Sequence, residues 1–355
     1  MLDKLKISFV IPCLNEEKTI KEVINKASNA GRNYIGKSFE LIITDNGSTD
    51  RSVEIIKRTR KARLIKVPIR GYGAALHWGI LKAKAEYIFY ADADLSYSFS
   101  ELKNFLPLLE NKPDLILGSR IKGKIQKEAM PFLNRYVGTP ILSFLIRVFY
   151  GIPTTDCNSG MRMIKRSFYK KLKMKNSGME WASELIIRTA LHNGIYKETP
   201  IIFLKDKREK SPHLLRWSDG WRHLKTIILL KPKIFVYIMG LFIFGIYLSY
   251  DNSFAFLSLF ILLLMVTLLS FLALMFLSFA IEKKHNSISK ILNNNFLVPL
   301  VGIFVVSVIL ITYFLSNEHL GTKVLLAAIV SITLIWVFMI ETIKTHLVNR
   351  LPDFS

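Results

Sequence analysis

Short apolar runs separated by amphipathic stretches organise the first two thirds of the chain. Residues 6–11, 39–44, 64–67, 87–91, 115–118, 161–164 and 201–204 are runs of aliphatic, β-branched and aromatic residues that read as buried strands. Helical spacing fills the intervals over residues 16–30, from a turn after Asp45 to about Arg60, and over 71–84, 100–109, 131–150 and 179–191, with Asn15 as the N-cap of the first helix. Strands alternating with helices predict an α/β domain with a doubly wound, mainly parallel sheet. From residue 231 the pattern changes. Four apolar stretches at about 234–250, 254–281, 296–315 and 324–343 are each long enough to cross a hydrocarbon core of about 30 Å. The expected organisation is an α/β domain over residues 1–230, ending in juxtamembrane amphipathic helices, and an all-α domain of four transmembrane helices over 231–350.

Composition agrees with this division. Hydrophobic residues make up 51% of the 355-residue chain, the mean hydropathy is +0.30, and the apolar excess lies in the last third. The formal net charge of +22 calls for anionic partners. In a chain with membrane segments, anionic lipid and phosphorylated substrates fit that charge better than nucleic acid does. Lys283, Lys284 and Lys290 fall between the second and third crossings, whereas Asp251 and Glu318 mark the opposite turns. The α/β domain and the carboxyl terminus are therefore expected in the cytoplasm of an integral membrane protein. Cys13 and Cys157 have no metal-binding spacing and read as small buried residues.

The candidate chemistry centres on Asp92-Ala93-Asp94, which follows the strand over 87–91. Ligands of open parallel sheets collect beyond the carboxyl ends of the strands, and two carboxylates there suit a hard divalent cation shared with a diphosphate. An Asp-rich turn closed by Ser96 is the alternative. Gly71 and Gly73 open a helix but lack the third glycine of a dinucleotide fingerprint. Glu180 and Glu184 lie one turn apart on a single helix face, which by itself reads as a solvated face. The stretch over 131–150 mixes Arg135 and Arg147 with large apolar residues, as in a helix lying in a membrane interface or an ordinary helix covering the sheet. A basic run, Lys205 to Lys210, precedes Trp217 and Trp221 and reads as a juxtamembrane anchor, a phosphate clamp or both.

Six motifs then occur in order: IPCLNEE at 11–17, TDNGSTD at 44–50, DADLS at 92–96, GSR at 118–120, CNSGMR at 157–162 and MEWASEL at 179–185. Over about residues 6–230 this set resembles family 2 glycosyltransferases of the GT-A fold, within the polyprenyl-phosphate branch of dolichol-phosphate mannose or glucose synthases. The resemblance implies a hexose moved from a nucleotide-diphospho-sugar to an undecaprenyl or dolichyl phosphate with inversion, and Mg²⁺ or Mn²⁺ as cofactor. It assigns nucleotide-sugar binding to Pro12, Asn15, Glu17, Asp45, Asp92, Arg208 and Lys210. Metal binding falls to Asp94 with Asp92 and Ser96, and the phosphates of donor or acceptor to Arg120 and Arg135. Glu184 matches the position of the base in other family 2 enzymes.

The chain departs from processive synthases of the same family, which carry Gln-x-x-Arg-Trp before their membrane helices. Here the run is His213-Leu214-Leu215-Arg216-Trp217. A processive polysaccharide synthase and a non-catalytic membrane scaffold are the alternative functions. The four crossings are expected to anchor the domain, present the lipid phosphate or set contacts in a homo-oligomer.

Overall fold

In a computed structural model, the structure describes residues 6–207 and 216–230. All of them belong to one compact unit. The four apolar stretches, Arg208 and Lys210 lie outside the described residues, and no helix among the described residues is long and apolar enough to cross a membrane.

The elements in order are β1 (Ile7–Cys13), α1 (Ile20–Ile35), β2 (Phe39–Asp45), α2 (Ser52–Thr59), β3 (Arg63–Lys66), α3 (Tyr72–Lys82), β4 (Tyr87–Tyr90), α4 (Leu102–Phe105), β5 (Leu115–Ile125), α5 (Thr139–Tyr150), β6 (Arg162–Lys165), α6 (Arg166–Lys171), α7 (Trp181–Leu191), β7 (Tyr196–Phe203) and α8 (Arg216–Leu229). The strands form one sheet in the order β3-β2-β1-β4-β6-β5-β7. Pairing is parallel except along β6, which runs antiparallel to both β4 and β5. The sheet is therefore mixed, with β6 as its reversed strand.

Alternation along the central strands divides the core into two layers, because successive side chains point to opposite faces. Ile7, Phe9, Ile11, Phe89 and Met163 face α1 and α4, whereas Val10, Ile88, Tyr90 and Ile164 face the side covered by α3, α5 and α7. Phe9, Phe39, Phe89, Phe99 and Phe105 interlock edge to face on the first side. These aromatics, all fully buried except the half-buried Phe39, anchor the strands whose ends carry polar residues.

Three local expectations change. The first helix begins at Ile20 with Thr19 as N-cap, because Asn15 takes a left-handed backbone (φ 58) and the chain turns once more before the helix. Residues 99–111 break into two 3-10 turns around the short α4. Residues 131–150 divide into a π-turn, Asn134–Gly138, and α5.

Candidate active site

Parallel register brings the ends of β1 and β2 level, with Cys13 opposite Asp45. The loops beyond them are laced together. Asn15 accepts from the Thr49 N–H at 2.8 Å and donates its own N–H to Ser48 Oγ at 3.0 Å. The Glu17 N–H donates to Asp50 at 3.1 Å, and Glu17 accepts from the Arg51 N–H at 3.2 Å. Asp45 accepts from the Ser48 N–H at 3.1 Å. Half-buried Pro12, paired with Thr44, lies one residue before this rim. Pro12, Asn15, Glu17 and Asp45 are thus brought together, with Asn15 and Glu17 spending their side chains on the rim's shape.

Beyond β4 the chain enters the Asp92–Asp94 turn, where Leu95 takes a left-handed backbone (φ 65). Asp94 is 8% exposed, and its Oδ1 accepts from the Ser96 N–H at 2.9 Å and from the Ser96 hydroxyl at 2.5 Å. Ser96 is therefore the holder of Asp94, since its hydroxyl proton is committed to that carboxylate. Asp92 Oδ1 accepts from the Tyr72 hydroxyl at 2.8 Å. Among the described residues no cluster of three His, Cys, Asp or Glu side chains could cage a metal alone. A strand-end pair of carboxylates fits a Mg²⁺ or Mn²⁺ ion that takes its remaining oxygens from substrate phosphates and water.

Arg120, on β5, pairs with Asp156. Its Nε and Nη2 donate to Asp156 at 2.8 and 2.7 Å, its backbone N–H donates to the same carboxylate at 2.9 Å, and its guanidinium lies 5.0 Å from the Phe203 ring centroid. A bidentate fork with both partners buried holds the guanidinium in place. The pair fixes the start of the 156–160 turn. Arg162, fully buried, closes that turn from below by donating to the carbonyls of Ser159, Cys157 and Ala182 at 3.0, 2.8 and 2.7 Å. Gly160 is thereby pressed against Asp92, where an added Cβ would come within 2.3 Å of Oδ2.

Glu180, the N-cap of α7, and Glu184 in its first turn are buried, not solvated. Glu184, 1% exposed, accepts from the N–H groups of Lys175 (3.0 Å) and Asn176 (2.8 Å) and from Arg188 Nε (2.5 Å). A carboxylate so occupied ties the 175–176 loop to α7 and has little capacity left for a substrate proton. Glu184→Gln should therefore lower stability by about 1–3 kcal/mol yet leave kcat within about threefold of wild type, where loss of a true general base costs roughly a hundredfold or more. Parallel thermal melts and initial rates would separate the two. Glu180, nine-tenths buried, has Oε2 without a hydrogen-bond partner, and burial raises its pKa above the usual carboxylate range.

Arg135 stands outside this cluster, its guanidinium 5.2 Å from the Tyr136 ring. Around it Phe132, Leu133, Tyr136, Ile141, Phe144 and Val148 are all exposed, while Leu142 and Ile146 of α5 pack into the core. Residues after β7 cross back over the acidic turn. The N–H groups of Leu204 and Lys207 donate to the carbonyls of Ser96 and Asp94 at 2.8 and 3.2 Å, so the backbone at the start of the basic run lies against the acidic turn, while the side chains of Lys205 and Lys207 pair with Glu128 and Glu22.

Comparison with known proteins matches residues 8–173 to the family described as glycosyl transferase family 2. The low-salt glycan biosynthesis hexosyltransferase Agl6 of Haloferax volcanii is 34% identical over 229 residues, 64% of this chain and 54% of that protein. The chain thus spans about half the length of that relative. The UDP-N-acetylglucosamine–dolichyl-phosphate N-acetylglucosaminyltransferase of Methanococcus voltae is 31% identical over 224 residues, 57% of this chain and 86% of that protein. A mycobacterial protein of known crystal structure shares the fold, with a TM-score of 0.50 at 21% identity over 63% of this chain and 74% of that one.

Proposed function

This chain belongs to glycosyl transferase family 2, in its dolichol-phosphate sugar synthase-like branch, and we propose that it transfers a hexose from a nucleotide-diphospho-sugar to a polyprenyl phosphate at a membrane surface. One observation carries the reading: Asp92 and Asp94 stand at the carboxyl end of β4, beside the laced rim of β1 and β2 and under the start of the basic run. That arrangement offers a diphosphate a metal on one side and a nucleoside pocket on the other.

Asp94 would hold a divalent ion, which when bound would neutralise the charge that develops on the departing nucleoside diphosphate. Ser96 orients Asp94 for that task. Asp92 faces the donor, and Asn15, Glu17 and Asp45 shape the nucleotide pocket; the family resemblance assigns the diphosphate to Arg208 and Lys210. The attacking group is a lipid phosphate oxygen. With a second pKa of about 6 it is already ionised at neutral pH, so no strong base is required. Its direct attack on the anomeric carbon inverts that centre. The exposed apolar face around α5, with Arg135 and Arg147 stacked on Tyr136 and Phe144, suits an acceptor that is part lipid and part anion. The four apolar stretches after residue 231 anchor the domain on the cytoplasmic side.

Purified full-length protein in detergent, given Mg²⁺, polyprenyl phosphate and labelled UDP-glucose, GDP-mannose or UDP-N-acetylglucosamine in turn, should place label in a mild-acid-labile lipid extracted into organic solvent. Label found only in a long water-soluble polymer would mean a processive synthase. No transfer from any donor would sink the enzymatic reading.

A further inference from the structure

Helix α5 is apolar on both of its faces. One packs into the core through Leu142 and Ile146. The other, continued backward through the π-turn, carries Leu133, Val137, Ile141, Phe144 and Val148 at spacings of four, four, three and four, which keeps them on one stripe. These five are 42–60% exposed. Phe132 and Tyr136 stand exposed beside the stripe, their ring centroids 4.8 Å apart. Soluble proteins rarely leave so continuous an apolar strip in water, and a helix that is apolar all round belongs in a protein core or in hydrocarbon.

The cations of the segment lie on rings of this same face. The Arg135 guanidinium sits 5.2 Å from the Tyr136 ring centroid and that of Arg147 sits 6.0 Å from Phe144. No Asp or Glu occurs from 129 to 155, and the acids at either end are spent, Glu128 on Lys205 and Asp156 on Arg120. That charge pattern decides what covers the face. A second copy of the same face would set arginines against arginines with no carboxylate in the segment to pair them, and an apolar protein surface would strip both guanidiniums of water without returning an anion. A leaflet with anionic headgroups offers the aliphatic and aromatic side chains its acyl boundary and gives the two arginines lipid phosphates just above it. We infer that the 132–148 face lies in the interfacial layer of an anionic bilayer, as a second contact of the α/β domain with the membrane besides the anchor proposed after residue 231. The bilayer in which a lipid acceptor would lie is itself the partner, so the contact goes beyond the transfer reading and forms without donor or turnover.

The test is the depth of a nitroxide on Leu133→Cys, Phe144→Cys or Val148→Cys, introduced one at a time into the full-length protein in vesicles of phosphatidylglycerol and phosphatidylethanolamine. Power saturation in electron paramagnetic resonance, with oxygen and a water-soluble nickel chelate as relaxing agents, reads that depth. Cys13 and Cys157 are buried and escape the label, and Lys57→Cys, exposed on α2 at the opposite face of the sheet, supplies the reference. The three labels should lie about 5–10 Å below the lipid phosphates, open to oxygen and closed to nickel, while the label at 57 reads open water. In vesicles of phosphatidylcholine alone, the ratio of inserted to free face should fall roughly fivefold for each arginine. Labels at 133, 144 and 148 as open to nickel as the one at 57 would put the face in water and overturn the inference. Labels closed to both agents would mean that protein covers it, either the later apolar stretches or a second copy, and would overturn it as well. Equal depths in the two lipids would overturn the part assigned to the arginines. Each label replaces an exposed side chain, so loss of one variant to misfolding leaves two others to decide. Failure of the transfer reading would show separately, as no labelled lipid from wild type.

Discussion

Asp94→Asn should lower transfer by on the order of a thousandfold at saturating donor and metal while leaving the protein folded. The substitution keeps the shape of the side chain, and its amide oxygen can still accept from the Ser96 N–H and hydroxyl that now meet Asp94 Oδ1. Leu95, in its left-handed conformation, and the crossing residues 204 and 207, which bond to backbone carbonyls, are untouched. What disappears is one negative charge at a position 8% exposed, where a cation has few other anionic neighbours to replace it. The thermal midpoint should therefore move by no more than about 4 °C, the equivalent of roughly 1 kcal/mol in a domain of this size. The measurement is an initial rate of lipid-linked label, paired with a melt. A variant that kept a tenth of the wild-type rate would remove Asp94 from the metal-binding role.

The residues of this acidic turn were legible in the sequence because the signal is local: an apolar run of strand length, broken by two acids and a serine. The sheet was legible for the same reason, down to most strand ends, except for the direction of β6. A four-residue strand carries no arrow, and whether it runs with or against its neighbours depends on where its connections leave it. Arg120 marks a different limit. Its motif puts an arginine on β5, but Asp156, 36 residues later, takes the guanidinium, and nothing local announces that pairing. Glu184 repeats the lesson, since the N–H groups that occupy it come from a loop eight and nine residues earlier. Tyr72 was visible only as the residue between two glycines. Its bond to Asp92 depends on α3 meeting both Asn46 after β2 and the 177–178 turn.

Asp156→Ala should destabilise the α/β domain by about 3–5 kcal/mol, the cost of leaving a buried charge without its partner. Asp156 is fully buried and Arg120 is 7% exposed, so water cannot replace the lost carboxylate. Three hydrogen bonds go at once, and the stacking of the guanidinium on Phe203 offers no anion in exchange. A guanidinium keeps its proton at any ordinary pH, so the arginine cannot escape the cost by neutralising. At roughly 2–4 °C per kcal/mol the melting midpoint should fall by about 6–20 °C. Activity should fall further than the folded fraction does, because the turn that begins at Asp156 carries Gly160 against Asp92. Arg120→Met in the Asp156→Ala background should recover part of the lost stability, since a partnered charge and no charge both avoid the desolvation cost that a lone charge incurs. Failure of the double variant to melt above Asp156→Ala would mean that the pair is less dry than its geometry implies. Arg120 would then be available again to meet a phosphate.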